Sequence, residues 1–293
     1  MNNSDLLNKN NSVPYLKSPA ISYDGSQIAF SYSGDIWLVP SDGGDAKLLT
    51  SHIGYNDRPK FSPDGSYLAF FSKRTGNGDI YIISLKNEEI RRLTYDDIAD
   101  VLDCWSPDGK WIYFNSGMDG IGGFAYKISI EGGTPIKIAG DPHELYYSLA
   151  ISPNGKTLAF NNNGYAWWRK GSRPSGASHI WLVSEKIGSN DYRKITDYQG
   201  RNLYPMWDSR GRGLYFVSDR DGNENIWWQD IKTDKTKQIT HFSDGRVMRA
   251  SISGNGKWIV FQRDFAIWKL DVTTGEAFPI QINVRADRKI GSC

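Results

Sequence analysis

The stretch FSPDGSYLAFFS at residues 61–72 decides the fold, because the chain keeps repeating it. It returns as WSPDGKWIYFNS at 105–116, as ISPNGKTLAFNN at 151–162 and more loosely as ISYDGSQIAFSY at 21–32. Two degraded copies follow, WDSRGRGLYFVS at 207–218 and ISGNGKWIVFQR at 252–263. The turn glycines Gly25, Gly65, Gly109, Gly155, Gly211 and Gly256 are separated by 40, 44, 46, 56 and 45 residues. Each copy holds four short strand-like runs, which in the second are RPKFS, SYLAFFS, DIYIISL and IRRLT. Four strands every 40–45 residues or so is the period of a β-propeller blade.

The sequence therefore predicts an all-β, six-bladed β-propeller with four antiparallel strands per blade over residues 15–288. The blades are expected at about 18–50, 57–94, 100–139, 146–196, 203–240 and 247–284. The Asp-Gly and Asn-Gly pairs are read as residues tolerating the positive φ of a tight hairpin. The unbroken apolar second runs (LAF, IYF, IVF) suit strands buried on both faces. GH and WD dipeptides do not recur with the repeat, so this is not the WD-type propeller. Copies one and six each contain four strands of their own, which predicts a ring closed by packing, without a strand-exchange latch. An added edge strand from VPYLK stays open.

Composition agrees with strands and tight turns, with 13% aromatic residues and 30 glycines. A net charge of +2 gives no field that would favour nucleic acid, and no apolar run is long enough for a membrane helix. Neither partner is expected. Two cysteines cannot build a disulfide scaffold. Cys104 reads as a buried thiol, and Gly291-Ser292-Cys293 as part of a linker or appended tail over 289–293. The Asn-rich start, 1–14, reads as a leader; a cytoplasmic location is favoured, with a periplasmic or secreted one open.

Loop lengths vary after the second and fourth strands of the copies, which emerge on one end of the ring. That elaborated face is the candidate for function. Its largest insertion, at 161–181, carries Trp167, Trp168, Arg169, Lys170 and Arg173, a mixture of aromatics and cations suited to peptides through stacking and carboxylate pairing. The same tryptophans folding back onto the ring is the competing reading. Asp96, Asp97, Asp100 and Asp103 read as a solvated loop more readily than as a cation site, and DRDGNEN at 219–225 lacks the distal Glu of a calcium loop. No metal or cofactor is expected. His52, His143, His179 and His241 form no catalytic motif, and no GxSxG, HExxH or Walker sequence occurs. First-strand positions Trp105, Tyr204 and Arg249 are candidates to obstruct an axial channel.

The refrain, with its dIW or dIY third strand and RLT fourth strand, resembles the repeats of TolB-like and tricorn-protease propellers. WWRKGSRPSGASHIW followed by RKIT narrows this, being similar to the blade-four insertion of the tricorn protease family. The resemblance implies the N-terminal six-bladed propeller of a serine-type peptidase that guides or gates peptides and scaffolds the enzyme. In that family a seven-bladed propeller, a PDZ-like domain and the catalytic domains follow, so this chain carries over no catalytic residue. Its partners would be peptides and downstream domains, and the isolated ring would be monomeric. A stand-alone TolB-like protein-binding propeller is the alternative. One departure matters: where the archaeal family member has a basic pair anchoring a peptide carboxylate, this chain has the acidic YDDIADV. A basic anchor would then fall to Arg58, Arg91, Arg92 or the Arg169–Arg173 group, with Arg249 a further peptide-binding candidate.

Overall fold

A computed structural model describes residues 14–119, 123–140, 146–163 and 177–285. Six four-stranded antiparallel sheets, each built from strands in chain order, follow one another around an axis, and in blade one a short Gly44–Asp45 strand falls between the third and fourth strands without joining the sheet. The innermost strands are Lys17–Ile21, Asn56–Phe61, Val101–Trp105, Tyr146–Ile151, Asn202–Trp207 and Met248–Ile252. No helix occurs among the described residues.

The recurring turn is held by side chains as well as by glycine. In blade two the Ser62 hydroxyl donates to Asp64 Oδ1 at 2.6 Å and accepts from the backbone N–H of Tyr67 at 2.9 Å. Asp64 also accepts from the Ser66 N–H at 3.1 Å. Blades one, three, four and six repeat the clasp through Ser22–Asp24, Ser106–Asp108, Ser152–Asn154 and Ser253–Asn255. Only the glycine takes positive φ (Gly65, 71°); the preceding Asp or Asn acts as an acceptor, which corrects the reading that both residues tolerate the left-handed region. In blade five Asp208 replaces the serine and accepts from the N–H groups of Arg210 and Arg212, both at 3.0 Å. The refrain therefore degrades there without the turn being lost.

The second strands place one phenylalanine per blade, Phe30, Phe70, Phe114, Phe160, Phe216 and Phe261, each no more than 1% exposed. Apolar clusters form between blades. Ala69, Ile80 and Ile82 of blade two, for instance, pack on Leu102, Ile112 and Phe114 of blade three. Five further clusters fill the other junctions. Each sheet is thus buried on both faces, which explains why its middle strands lack polar alternation. Trp105 Nε1 donates to Lys60 O at 2.9 Å and Trp207 Nε1 to Ala150 O at 3.0 Å, tying adjacent innermost strands together. Trp105, only 7% exposed, belongs to a blade junction and so does not plug the axis.

Closure follows the same principle without strand exchange. Leu16, Ile21 and Ile28 pack with Val260, Ile267 and Ile280 across the blade-six to blade-one junction. The buried Lys269 ammonium donates to Ser41 Oγ and Asp42 Oδ1, both at 2.9 Å. A short parallel seam pairs Ile282–Asn283 with Gly44–Asp45, an addition the repeat pattern did not announce. The described residues of VPYLK, 14–17, add no edge strand: Lys17 opens the innermost strand of blade one, and Tyr15 accepts a hydrogen bond from Gln262 at 2.8 Å.

Candidate functional site

Every innermost strand carries a one-residue bulge at the same level, between Lys17 and Ala20, Asp57 and Lys60, Leu102 and Cys104, Tyr147 and Ala150, Leu203 and Met206, and Met248 and Ser251. In five blades the bulge forces a non-glycine residue into the left-handed region: Ser18, Arg58, Ser148, Tyr204 and Arg249, with φ between 49° and 54°. That conformation costs an L-residue roughly 1–2 kcal/mol. In blade three Asp103 lies within the bulge. Bulges re-aim side chains, and strain repeated at one level of a ring marks where function is sought.

These residues line a cavity of about 370 Å³ on the axis. Its wall runs along the innermost strands to Tyr23, Pro63, Pro107 and Pro153 at the first hairpin turns. It therefore reaches the face opposite the variable loops. Arg58 and Arg249, distant in sequence, both line it; Trp167, Trp168, Arg169, Lys170 and Arg173 lie outside the described residues. Arg91 and Arg92 sit on an outer strand, where Arg92 pairs with Asp79 at 3.0 Å and Arg91 donates to Ile130 O. On the described loops of the elaborated face, Ile53 and Tyr95 are 94% and 71% exposed.

The cavity neck is ionic. Arg249 Nη1 donates to Ser18 Oγ at 3.0 Å and stands 3.6 Å from Asp57 Oδ2. Asp57 accepts from Ser31 at 2.8 Å and Tyr55 at 3.1 Å. Burial works to raise the Asp57 carboxyl, but Arg249 and its hydrogen bonds more than offset this and hold it below its ordinary value. Tyr55 is pushed up to about 12, by burial first and then by the Asp57 charge. Arg58 Nη1 is only 3.9 Å from Asp103 Oδ1, while Asp103 Oδ2 accepts from Asn115 at 2.8 Å. Burial raises Asp103, and lowers both Arg58 and Lys60.

Lys60 is a residue that sequence reasoning missed. Its signal was present, as a second cation two positions beyond Arg58 in RPKFS, on the strand expected to line the axis. Asp100 and Asp103 are buried, contrary to the reading of 94–103 as a solvated loop, and among the described residues no group of three or more His, Cys, Asp and Glu could hold a metal. Cys104 also lines the cavity; burial and Asp103 push its thiol up to about 12, so it holds little thiolate near neutral pH. The described cavity can bind charge but offers no activated nucleophile.

The family model for the tricorn protease N-terminal β-propeller domain matches residues 13–276. A tricorn protease homolog of Saccharolobus solfataricus is 27% identical over 283 residues, covering 90% of this chain and 24% of its own length. A putative tricorn-like protease N-terminal subunit of Sulfurisphaera tokodaii is 28% identical over 197 residues, covering 60% of this chain and 92% of its own. The crystal structure of the tricorn protease superposes with a TM-score of 0.75 at 21% identity, covering 95% of this chain and 27% of that one. This chain spans about a quarter of the length of the full-size tricorn homologues it matches.

Proposed function

Because the chain belongs to the tricorn protease N-terminal β-propeller family, we propose that it is the non-catalytic propeller module of a tricorn-like, serine-type peptidase, guiding or gating short peptides and scaffolding the enzyme. The observation that carries this reading is the family match over nearly the whole described ring, joined to an axial cavity walled by its six innermost strands. Catalysis is assigned to downstream domains, since among the described residues the cavity lining holds no nucleophile–base pair.

The test is the parent gene beyond the codon for Lys289. The reading is supported if the frame runs on into a second propeller, a PDZ-like segment and a serine peptidase domain, and if Ser148→Trp in that longer protein slows turnover of peptides more than of a two-residue fluorogenic substrate. A stop codon within a few residues sinks the single-polypeptide reading. A second reading would then take over, a separately encoded propeller acting as a subunit or binding module. It is favoured by the Sulfurisphaera relative, whose printed name is that of an N-terminal subunit and 92% of whose length is matched. Pull-down with the intact chain would identify its partner.

A further inference from the structure

Four positions beyond the core phenylalanine of the second strand, blades two and five carry Arg74 and Arg220. Their guanidinium groups lie over rings, Arg74 at 4.6 Å from the centre of Tyr81 and Arg220 at 5.0 Å from that of Trp227. Met118 holds the same position in blade three, packed on its junction. In blade one the position is Gly34, and the chain turns at once through Ser33 and Gly34, with φ of 52° and 81°. No long side chain fills the place, and a cavity of about 250 Å³ opens there between blades one and two, on the elaborated face. Tyr15, Tyr32 and Tyr55 line it together with Lys17, Ser31 and Gly34. Two of the three phenols are engaged, Tyr15 accepting from Gln262 at 2.8 Å and Tyr55 donating to Asp57 at 3.1 Å. Ser31 also donates to Asp57, at 2.8 Å. The cavity is thus left with ring surface and with the Tyr32 hydroxyl, which makes no hydrogen bond among the described residues. Phe265, the blade-six counterpart of Gly34, meets Tyr15 edge to face with ring centres 5.3 Å apart. It is 63% exposed and has a φ of 64°, which a bulky side chain rarely adopts. Strain that holds an aromatic ring out in solvent marks a candidate functional rim.

We propose that the tyrosine-lined cavity of blade one is a side-chain subsite, and that it takes an aromatic side chain of a peptide lying across the elaborated face. At about 250 Å³ it falls below the roughly 300–1,000 Å³ of sites for whole ligands, so it fits a single side chain. Walls made of ring faces and edges suit a further ring, because offset and edge-to-face pairs gain more than their buried area alone. A guanidinium, which fills the equivalent place in blades two and five, is disfavoured here. Lys17 already sets its ammonium 5.0 Å from the centre of the Tyr15 ring, where a second cation would meet a like charge. The Tyr32 hydroxyl remains to donate to a peptide carbonyl. The cavity also borders the innermost strand of blade one, the edge of its sheet, whose backbone groups an extended peptide can bond. The inference deepens the peptide-handling reading above and rests on it.

The experiment is a titration of the whole ¹⁵N-labelled chain, followed by amide chemical shifts, with three peptides blocked at both ends: acetyl-Ala-Phe-Ala amide, acetyl-Ala-Ala-Ala amide and acetyl-Ala-Arg-Ala amide. It is repeated on Tyr15→Ala, which removes a wall, and on Tyr55→Phe, which keeps the ring and deletes the hydroxyl. The phenylalanine peptide should move the Gly34 amide and bind about tenfold or more tighter than the alanine peptide, as expected for burying one aromatic side chain. Tyr15→Ala should lose about tenfold, and Tyr55→Phe should bind like the parent. The dispersed spectra of the variants establish that the ring is intact. Equal binding of the phenylalanine and alanine peptides, shifts that spare Gly34, no effect of Tyr15→Ala, or no binding at millimolar peptide would each overturn the proposal. Arginine-peptide binding as tight as that of the phenylalanine peptide would overturn the aromatic assignment. None of these results bears on whether the gene continues into a peptidase, so failure here is distinguishable from failure of the module reading.

Discussion

Replacing Asp100 by asparagine should stabilise this protein at neutral pH. Asp100 is fully buried at the start of the innermost strand of blade three, where its N–H donates to Gly78 O at 2.9 Å. The corresponding residues in blades two and five are Asn56 and Asn202, whose side-chain amides donate to Gly34 O at 3.0 Å and Ser178 O at 2.8 Å. Their Oδ1 atoms accept from Arg74 and Arg220, at 3.3 and 3.1 Å. In blade three Met118 stands where those arginines do, so among the described residues the carboxylate pairs with no cation and neither of its oxygens finds a well-formed hydrogen bond. Burial raises its pKa to about 6; Ser116 and Thr94 work against the rise, and the charges of Asp96 and Asp79 add to it.

The folded value thus lies above the ordinary aspartate value of 3.8, so the folded state binds the extra proton between about pH 4 and 6. The stability present below pH 4 is lost as pH rises through 6, by about 3 kcal/mol at the limit for two pKa units or so. Asp100→Asn removes this loss and supplies a donor for Gly78 O. Urea unfolding followed by tryptophan fluorescence, at pH 4 and pH 7.5, compares the two proteins. The variant should gain up to about 3 kcal/mol at pH 7.5 and little at pH 4. A variant less stable at pH 7.5, or a difference independent of pH, would refute the reasoning.

Three further outcomes follow from the same geometry. Truncation after Ile280 should release the seam in which Gly44 N–H donates to Gln281 O and Ala46 N–H to Asn283 O, both at 2.9 Å; hydrogen exchange at these two amides should accelerate while the six phenylalanine-bearing strands stay protected, and uniform acceleration around the ring would contradict local closure. Trp105→Phe should cost about 1 kcal/mol by deleting the donor to Lys60 O, whereas Trp105→Ala should cost about 3–5 kcal/mol by emptying the junction as well; equal costs in thermal melts would show that packing contributes nothing there. Cys104, with its thiol raised to about 12, should resist iodoacetamide at pH 8 when peptides are mapped by mass spectrometry, and alkylation as fast as that of a free thiol would contradict a thiol raised by burial.

The sequence by itself determined the architecture. Its signals are local: Gly65 takes the left-handed region two residues before a strand begins, and Leu68-Ala69-Phe70 reads as apolar whichever face is considered. Six recurrences of such a unit leave a propeller as the consistent solution, because no single blade buries its own faces. Loop length is likewise a property of the chain, so the variation after the second and fourth strands is read from the sequence directly. The axial neck is not. Arg58 and Arg249 are 191 positions apart and reach one cavity only because blades two and six both flank blade one. Lys60 had only a weak local signal, a second cation two positions beyond Arg58; the closed ring is what sets it in one cavity wall with Asp103 and Arg249. Likewise the buried Asp100 carboxylate lacks a cation because Met118, in the turn after the second strand of blade three, stands where blades two and five have an arginine. Charges acquire partners, or lose them, through the closure of the ring. Closure brings together residues that no periodicity relates, and that is why the tertiary structure alone decided the chemistry of the channel.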